Sequence, residues 1–415
     1  MKSQKICAII CEYNPPHNGH KYLIEQARTL SGCDFVMCIM SGNFTQRGEV
    51  AILNKHQRAK LALQLGCDVV IHLPTAYACA SSEVFALAGV KIANSFKNVT
   101  HLCFGSECGD IDSLKMISSY LLKEPKEYKK LLKAQLDLGN SYTTSKLNAL
   151  TELSKTSKEL PENTVELITK SNNILAIEYL KALAMTNSKI EPITVKRVGE
   201  EYNSKKVTTY ASASAIRKDI YDNKSLKNVS KTMPSNVYED LKKELETQGL
   251  VDLKLFDELR LFKARTTSLQ ETKEVFDVVE GFENRIYNLS RQSVSFEHFI
   301  KDVQTKRYSP ARTYRIILGL LLGIDKKIIE SLYKIDYLPY AKVLAVRKNK
   351  VLNNLQSHST VILRTNDVKK TTNYVYNKLI DIENIADSIY TQLTKIKVVN
   401  VPYITQPPII NSKLS

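Results

Sequence analysis

Short apolar runs alternate with amphipathic segments through the first hundred residues, and this alternation constrains the fold more than any other feature of the chain. The runs that predict strands are 5–11, 35–40, 69–73 and 99–104. The segments with helical spacing are 20–30, 54–65 and 81–93. Strands that alternate with helices form a parallel sheet covered on both faces. Such sheets bind ligands at the carboxyl ends of their strands, which here are the loops after Cys11, Met40, Leu73 and Phe104.

The rest of the chain is richer in helical patterns. We predict mostly helix over 110–185 and 235–345, a returning strand at 193–198, a helix at 212–221, a strand-like run at 361–363 and a last helix at 377–393. The pattern fades around 223–234, so we place a domain boundary there. The expected fold class is α/β, with a Rossmann-like parallel sheet in residues 1–225 and a mainly helical, basic domain in residues 226–415.

All eight cysteines lie in the first 108 residues, and no two have the Cys-x-x-Cys spacing of a structural zinc site. Several stand in apolar runs, where cysteine acts as a small hydrophobe. We therefore expect reduced thiols in the core and no metal site. The longest strongly apolar run, Ile316–Ile324, is far shorter than the roughly 20 residues that span a bilayer. A cytoplasmic protein with no membrane partner is expected.

The positive charge of the chain is concentrated in its second half. The formal net charge is +16, yet residues 1–110 hold 10 Lys and Arg against 8 Asp and Glu, while residues 301–350 hold 12 against 4. A basic surplus predicts an anionic partner. The four cations Lys306, Arg307, Arg312 and Arg315 fall near one helical face if Pro310 begins that helix.

Tyrosines alternate with these cations, at Tyr308, Tyr314, Tyr333, Tyr337 and Tyr340. Cations that hold phosphates, with rings that stack on bases, are what single-stranded RNA loops require. The same composition is also compatible with a solvated, lysine-rich surface.

The segment Cys11–His20, with the sequence CEYNPPHNGH, joins the first strand to the first helix and carries the clearest chemical signal. A helix N-terminus presents unpaired N–H groups and a partial positive charge, which favour phosphate. Gly19 lets the backbone approach a ligand, and His17 and His20 can each donate a hydrogen bond to a phosphoryl oxygen. Phosphate binding is the favoured interpretation, and a histidine pair for metal or ordinary surface histidines are the alternatives.

His17-Asn18-Gly19-His20, which follows a strand, resembles the H-x-G-H signature of the nucleotidylyltransferase superfamily. The segment Ser212–Arg217 resembles the second signature of that superfamily. Further segments make the chain similar to the bacterial tRNA(Met) cytidine acetate ligase family, strongly over residues 4–220 and more loosely beyond. These segments are Gly42–Glu49, Asn54–Ala59, Phe104–Glu107, Asn172–Leu180, Lys196–Arg197 and Arg307–Arg312.

The resemblance implies a two-step reaction. Acetate attacks the α-phosphate of ATP to give acetyl-adenylate and pyrophosphate, and the acetyl group then passes to the N4 amine of the wobble cytidine of elongator tRNA(Met). An anticodon loop can unstack that base more easily than a duplex can. The expected partners are ATP, acetate and this tRNA, with Mg²⁺ bridging the ATP phosphates and no obligatory protein partner.

The resemblance also implies residue roles. His17, His20 and Arg217 are expected to be catalytic, with Arg217 facing the outer phosphates. Arg47 is expected to contact tRNA or acetyl-adenylate, and Lys306, Arg307, Arg312 and Arg315 to bind tRNA. The implied ATP site comprises Ala8, Ile9, Ile10, Cys11, Glu12, Tyr13, Asn14, Pro15, Pro16, His17, Asn18, Gly19, His20, Lys21, Gly105, Asn173, Arg197, Ser212 and Ser214.

Several residues that lie far along the chain from the H-x-G-H segment also have a purely structural interpretation. Arg197 could form a surface ion pair, Gly105 could be an ordinary turn glycine, and Asn173 could cap its helix. Glu107 could be a solvated turn residue. The chain also departs from the family pattern in three places, namely Pro16 for an aromatic residue, Ala176 for a glycine, and Glu200-Glu201-Tyr202-Asn203 where small residues, Tyr and His-Asp are expected.

Two other functions remain open from the sequence. One is a small-molecule adenylyltransferase acting on nicotinate mononucleotide or phosphopantetheine, although such enzymes are usually shorter and need no basic second domain. The other is a non-catalytic RNA-binding protein with the same fold, which the intact His17, Gly19, His20 and Arg217 disfavour.

Overall fold

The secondary structure is given by a computed structural model that describes residues 4–198, 208–279, 281–363, 367, 371–395 and 406–410. The strands in these residues are β1 (Ile6–Cys11), β2 (Phe35–Ser41), β3 (Val69–Leu73), β4 (Val99–Ser106), β5 (Glu191–Lys196), β6 (Tyr340–Val346), β7 (Thr360–Ile362) and β8 (Ile409–Ile410). The α-helices are α1 (Asn18–Ser31), α2 (Lys55–Leu65), α3 (Thr75–Ala78), α4 (Ser82–Ser95), α5 (Ile111–Lys123), α6 (Lys126–Asp137), α7 (Tyr142–Leu153), α8 (Thr164–Thr169), α9 (Ser171–Met185), α10 (Ala213–Asn223), α11 (Ser235–Gln248), α12 (Leu253–Thr266), α13 (Leu269–Glu274), α14 (Phe282–Gln292), α15 (Phe296–Val303), α16 (Pro310–Leu322), α17 (Lys326–Lys334), α18 (Asn349–Asn353) and α19 (Tyr374–Gln392). A 3-10 helix spans Lys227–Thr232.

The strands form one mixed sheet in the order β5–β4–β1–β2–β3–β6–β7, with β8 beside β6. The pairs β1–β2, β2–β3, β1–β4 and β4–β5 are parallel, whereas β6 is antiparallel to β3. From β1 the chain proceeds through β2 and β3 on one side, and then through β4 and β5 on the other. The strand order therefore reverses between β1 and β4, which is where open α/β sheets bind ligands.

Side chains on the two faces of the sheet enter separate hydrophobic cores. Ala8 and Ile10 of β1 pack with α4, α5 and α9 on one face. Cys7 and Ile9 pack with α1, α2, α10 and α11 on the other. A third core joins α12, α14, α15 and α16 in the C-terminal part. Because helices cover both faces of a largely parallel sheet, the predicted α/β class is confirmed.

The first seven predicted elements lie within two residues of the observed ones, and local chemistry explains the agreement. The strands are continuous buried runs, and three helices begin where the sequence offers a capping side chain. Asn54, Ser81 and Ser212 each accept a hydrogen bond from a backbone N–H three residues further on. Pro310 is the first residue of α16, with Ser309 as its cap, as predicted.

The prediction of helix over most of 235–345 is wrong at its end, because Tyr340–Val346 is a strand whose seven residues are all buried. Lys342 interrupts the apolar run and disguises the pattern, and its ammonium group bonds the backbone oxygen of Gln406 at 2.5 Å. β6, β7 and β8 extend the sheet from beyond residue 226. The division into domains of residues 1–225 and 226–415 stays a prediction.

The cysteines and the apolar helices are packed as core elements. All eight cysteines are free thiols, and six of them are buried, with Cys11 and Cys108 partly exposed. Ile316, Leu318 and Leu322 are buried on α16, as predicted for a core helix. Within the described part of the chain, no helix combines the length and apolarity needed to cross a bilayer.

Candidate active site

The loop after β1 leads directly into the N-terminus of α1, where two histidines cap the helix together. His17 is the N-cap residue, and its Nδ1 accepts a hydrogen bond from the backbone N–H of Gly19 at 3.1 Å. His20 reaches back, and its Nδ1 accepts from the backbone N–H of His17 at 3.2 Å. This reciprocal arrangement is a capping box in which imidazoles replace the usual Ser and Glu.

The capping contacts fix the chemistry of both rings. Because each Nδ1 accepts a hydrogen bond, the hydrogen-bond pattern assigns the ring proton to Nε2 in both neutral histidines. Burial lowers the pKa of His17 to about 3, and the Arg197 guanidinium adds to this effect. Burial likewise lowers the pKa of His20, with His17 and Arg197 contributing. The two rings stack with centroids 3.6 Å apart, so they form a neutral pair of Nε2–H donors.

Gly19 leaves room for the His17 ring that caps α1. A Cβ added there would lie 3.0 Å from Cε1 and 3.1 Å from Nδ1 of His17. Any larger residue would press on the ring that caps the helix. The glycine of the H-x-G-H segment therefore has a local packing reason in addition to the predicted backbone approach.

Arg217, the last residue of the second motif, closes on the loop that carries the histidines. Its Nη1 donates to the backbone oxygen of Asn14 at 2.7 Å, and its Nη2 pairs with Glu49 at 2.7 Å. Ser212 caps α10 by accepting from the backbone N–H of Ala215 at 3.2 Å. The structure thus brings together two segments about 200 residues apart in the sequence, as the motif pair predicts.

The turn after β4 and the start of α9 cap each other. The Asn173 side-chain oxygen accepts from the backbone N–H groups of Glu107 at 2.9 Å and of Cys108 at 3.2 Å. The Glu107 carboxylate accepts from the backbone N–H groups of Asn172 at 3.2 Å and of Asn173 at 2.8 Å. The interpretation of Glu107 as a solvated turn residue is therefore wrong, because it caps α9. Asn173 is buried and caps the facing turn rather than its own helix.

Arg197 lies across Gly105 at the edge of the site. Its Nη1 donates to the side-chain oxygen of Asn172 at 3.3 Å. A Cβ on Gly105 would lie 3.4 Å from Cγ of Arg197, so the glycine leaves room for the arginine side chain. Glu200-Glu201-Tyr202-Asn203, where the sequence departs from the family pattern, lies outside the described residues.

A cavity of about 270 Å³ opens between these elements at the reversal of strand order. The predicted residues that line it are Ile9, Ile10, Cys11, Glu12, Tyr13, Asn14, His17, Gly19, His20, Gly105, Arg197, Ser212 and Arg217, joined by Arg47. The three residues predicted to be catalytic, and most of the implied ATP residues, therefore line one cavity.

Seven residues of the implied ATP site do not line this cavity, namely Ala8, Pro15, Pro16, Asn18, Lys21, Asn173 and Ser214. Their own contacts account for several of them. Ala8 is fully buried in the sheet. The Asn18 side chain donates to the backbone oxygens of Thr209 at 3.0 Å and Lys231 at 2.9 Å, and Lys21 pairs with Glu25 at 2.5 Å.

A second, larger cavity of about 1180 Å³ adjoins the first. Gln46, Arg47 and Glu49 line both, so the loop after β2 forms a shared wall. The residues of the basic window that line the larger cavity are Arg307, Arg312 and Arg315, and Lys306 lines a neighbouring depression together with Arg307. The structure thus gathers the predicted RNA-contacting cations next to the small cavity.

Two of those arginines are already held by a carboxylate. Arg312 pairs with Asp277 at 2.8 Å, and Arg315 lies 3.9 Å from the same side chain. Arg312 also lies over the ring of Tyr308, 4.3 Å from its centroid. These arginines of the larger cavity are therefore held by contacts within the protein, and Asp277 balances part of their positive charge.

Two of the five tyrosines of the basic window are buried, so the prediction that its rings stack on bases is wrong for these two. Tyr308 is buried and stacks on Phe282 with centroids 3.5 Å apart, and Tyr340 is buried in β6. Only Tyr333 and Tyr337 are largely exposed, at 45% and 39%. Tyr308 packs in the third core and Tyr340 in the core that contains α4, α5 and α9, so neither ring is available at the surface.

Arg58, a residue without a predicted role, orders the base of the site. It is completely buried, and it donates to the backbone oxygens of Leu53 at 3.0 Å and Ser41 at 3.2 Å, and to those of Glu12 and Gly42. Burial lowers its pKa to about 10, so it remains a cation at neutral pH. Its guanidinium ties the end of β1 to the end of β2. Its place in the segment Asn54–Ala59 was the only signal of it in the sequence.

The chain is similar to known proteins over nearly its whole length. Residues 4–401 match the family model of the HIGH nucleotidyl transferases. A protein of Acetivibrio thermocellus named tRNA(Met) cytidine acetate ligase is 37% identical over 400 residues, covering 94% of this chain and 95% of that protein. A protein of the same name from Caldicellulosiruptor saccharolyticus is 41% identical over 392 residues, covering 93% of each.

Solved structures are similar over almost the whole chain. The apo crystal structure of Thermotoga maritima TmcAL has a TM-score of 0.91 at 28% sequence identity, covering 98% of this chain and 99% of that one. The structure of the same protein bound with alpha-thio ATP has a TM-score of 0.89 at the same identity and coverage. The resemblance inferred from the motifs is confirmed, and the chain belongs to the tRNA(Met) cytidine acetate ligase family of HIGH nucleotidyl transferases.

Proposed function

We propose that this chain is a ligase that uses ATP to activate acetate as acetyl-adenylate and then acetylates the N4 amine of the wobble cytidine, C34, of elongator tRNA(Met). The products are N4-acetylcytidine, AMP and pyrophosphate. The observation that carries the proposal is the pair of Nε2–H donors at the N-terminus of α1, beside Arg217 and next to a larger cationic cavity.

The first step requires stabilisation of charge on the pyrophosphate that leaves. The Nε2–H groups of His17 and His20 donate to phosphoryl oxygens, and the N-terminus of α1 adds its partial positive charge. Arg217 and Arg197 contribute charge-assisted bonds to the same anion. Arg217 reaches the phosphates by exchanging its bond to Glu49 for a bond to the triphosphate.

The implied ATP residues then fall into two groups. Those that line the small cavity contact the nucleotide, with the strand residues Ile9 and Ile10 contributing mainly backbone at the end of β1. Those outside it, such as Asn18 and Asn173, hold the loops that contact the nucleotide.

The second step brings the tRNA to the larger cavity. Arg47, on the shared wall, contacts the tRNA or the acetyl-adenylate, and Arg307, Arg312 and Arg315 hold the backbone of the anticodon arm, with Lys306 beside them. A cytidine that has left the stack reaches the smaller cavity from this side.

Mg²⁺ accompanies ATP in this proposal. The described residues contain no group of three or more His, Cys, Asp or Glu side chains arranged to hold a metal ion. They therefore suit an ion held mainly by phosphate oxygens and water, which is the usual situation for Mg²⁺ with a nucleotide. No step depends on a protein-bound metal.

Incubation with labelled acetate, ATP and bulk tRNA tests the proposal. Label in the tRNA that requires both acetate and ATP is the expected result. Pyrophosphate release with nicotinate mononucleotide or phosphopantetheine, without label in RNA, would instead identify a small-molecule adenylyltransferase. Absence of any ATP turnover would identify an RNA-binding protein without catalysis.

A further inference from the structure

Glu12 follows β1 and lines the small cavity, and its carboxylate is only half satisfied by the protein. Oε1 accepts a hydrogen bond from the backbone N–H of Gln46 at 2.7 Å. Oε2 has no hydrogen-bond partner within the residues that the structure describes. We propose that Glu12 is the proton acceptor for the N4 amine in the acetyl-transfer step, and this inference rests on the proposed function.

The position of Glu12 suits this role because its partner belongs to the wall between the two cavities. Gln46 lines both the small and the large cavity, and its side chain is anchored to the backbone oxygen of Ala80 at 3.3 Å. Glu12 therefore lines the small cavity together with His17 and His20 and is bonded to the loop that both cavities share.

The other carboxylates that line the two cavities are ion-paired. Glu49 pairs with Arg217 at 2.7 Å. Asp277 pairs with Arg312 at 2.8 Å. Glu83 pairs with Lys181 at 3.1 Å, and Glu178 pairs with both Lys146 and Lys181. Among the described lining residues, Glu12 is thus the carboxylate without an ion-pair partner in contact.

The histidines of the cavity cannot take the proton. Each Nδ1 is occupied as an acceptor by the helix cap, and each Nε2 already carries a proton. Neither neutral ring therefore has a free lone pair for a second proton. The histidines donate hydrogen bonds to the phosphates, and the Glu12 carboxylate accepts the proton of the N4 amine.

A carboxylate in an anion-binding cavity weakens ATP binding by repulsion, so its presence there needs a reason. Burial raises the pKa of Glu12, against the opposing effects of the Gln46 N–H and the Arg217 cation. A higher pKa makes a carboxylate a better proton acceptor near neutral pH. The groups that influence it electrostatically from the surrounding elements are Arg58, Arg217, Glu49, Cys79 and Tyr179.

The step balances without any further reactant. The N4 lone pair attacks the carbonyl carbon of acetyl-adenylate and forms the N–C bond. The bond between that carbon and the phosphate oxygen breaks, and AMP leaves with the electron pair. One N4 proton passes to Oε2 of Glu12, which releases it to water after the product leaves.

The test separates the two half-reactions in Glu12→Gln and Glu12→Asp. Acetate-dependent exchange of labelled pyrophosphate into ATP measures the first step, and single-turnover transfer from enzyme-bound acetyl-adenylate to tRNA measures the second. Because Glu12 also lines the ATP site, we expect Glu12→Gln to change the KM for ATP in the exchange reaction and to reduce the exchange rate far less than the transfer rate. Transfer should fall by about 10²–10⁴-fold, the usual contribution of a general base.

Two controls make the result specific. Glu12→Asp keeps a carboxylate, so its transfer rate should be higher than that of Glu12→Gln. The transfer rate of the wild type should rise with pH through one ionisation, which should be absent in Glu12→Gln. Glu258→Gln makes the same chemical change on an exposed side chain of α12 and should alter neither step.

Either of two results would overturn the role of Glu12. One is transfer by Glu12→Gln within about tenfold of wild type. The other is an equal loss of exchange and transfer, which would indicate a structural or ATP-binding role. If the wild-type chain shows no acetate-dependent exchange, the proposed function itself fails, and this inference fails with it.

Discussion

His17 has two separable roles, and substitution can divide them. It caps α1 through Nδ1, and in the proposed function its Nε2–H donates to a phosphate. His17→Ala removes both contacts, whereas His17→Asn keeps a strong capping side chain and removes the Nε2–H donor. Comparing the two variants therefore measures the cap and the donor independently.

The magnitudes follow from these contacts. One hydrogen-bond donor aimed at developing charge contributes about 10²–10³ in rate, or about 2.7–4 kcal/mol. Both variants should therefore lose acetate-dependent pyrophosphate exchange by about that factor. A helix cap contributes about 1 kcal/mol, so thermal unfolding should show His17→Ala less stable than His17→Asn by about this amount.

His20→Ala provides the companion test. It should abolish acetyl-adenylate formation and leave tRNA binding within a few-fold of wild type, because the RNA is held by other residues. Exchange activity in His17→Asn within a few-fold of wild type, or adenylation by His20→Ala, would refute the assignment of the phosphate site.

Three further predictions concern stability and RNA binding. Arg58→Met leaves four backbone oxygens without their donor, at about 1 kcal/mol each, so thermal unfolding should show a loss of about 3–5 kcal/mol, while Lys254→Met on an exposed position changes little. Because the pKa of His17 is about 3 in the folded chain against about 6.5 for an exposed histidine, the unfolded state binds more protons between these values. Stability should therefore fall as pH drops below 6.5, and less steeply in His17→Asn, as thermal unfolding at several pH values would show. In gel-shift titrations tRNA affinity should weaken as salt rises, and Arg307→Ala should reduce the slope of log affinity against log salt by about 1; an unchanged slope would remove Arg307 from the RNA-binding surface.

Much of the nucleotide-binding half could be predicted because its signals are local. The strands are uninterrupted buried runs, and the helices after them begin at capping residues such as Asn54 and Ser81. The H-x-G-H segment is informative because residues that are close in the sequence are also close in space at a helix N-terminus. Its two histidines are three residues apart, which places both at one helix N-terminus.

What the sequence did not reveal depends on contacts between distant segments. Arg58 bonds carbonyl groups on three separate stretches of chain, which no local pattern encodes. Glu107 caps a helix that begins 64 residues later. The helix prediction over 235–345 fails at β6, where Lys342 interrupts the apolar run although its side chain is buried. The basic window suggested exposed tyrosines, and packing of Tyr308 on Phe282 removed one of them from the surface.

Two adjoining cavities share the loop that contains Gln46, Arg47 and Glu49. His17, His20 and Arg217 line the small cavity, where the proposed function places the triphosphate, and Arg307, Arg312 and Arg315 line the large one, where it places the RNA backbone. The loop containing Gln46, Arg47 and Glu49 separates them and contacts both Arg217 and Glu12. Under the proposed function, acetyl-adenylate forms on one side of this loop and the RNA base arrives on the other.

The most direct measurement of this account is nucleoside analysis of purified elongator tRNA(Met) after incubation with the protein, ATP and acetate. Digestion and mass spectrometry should show N4-acetylcytidine at the wobble position, dependent on both small substrates and absent with His20→Ala. Unmodified cytidine at that position, under conditions where the wild-type protein turns over ATP, would contradict it.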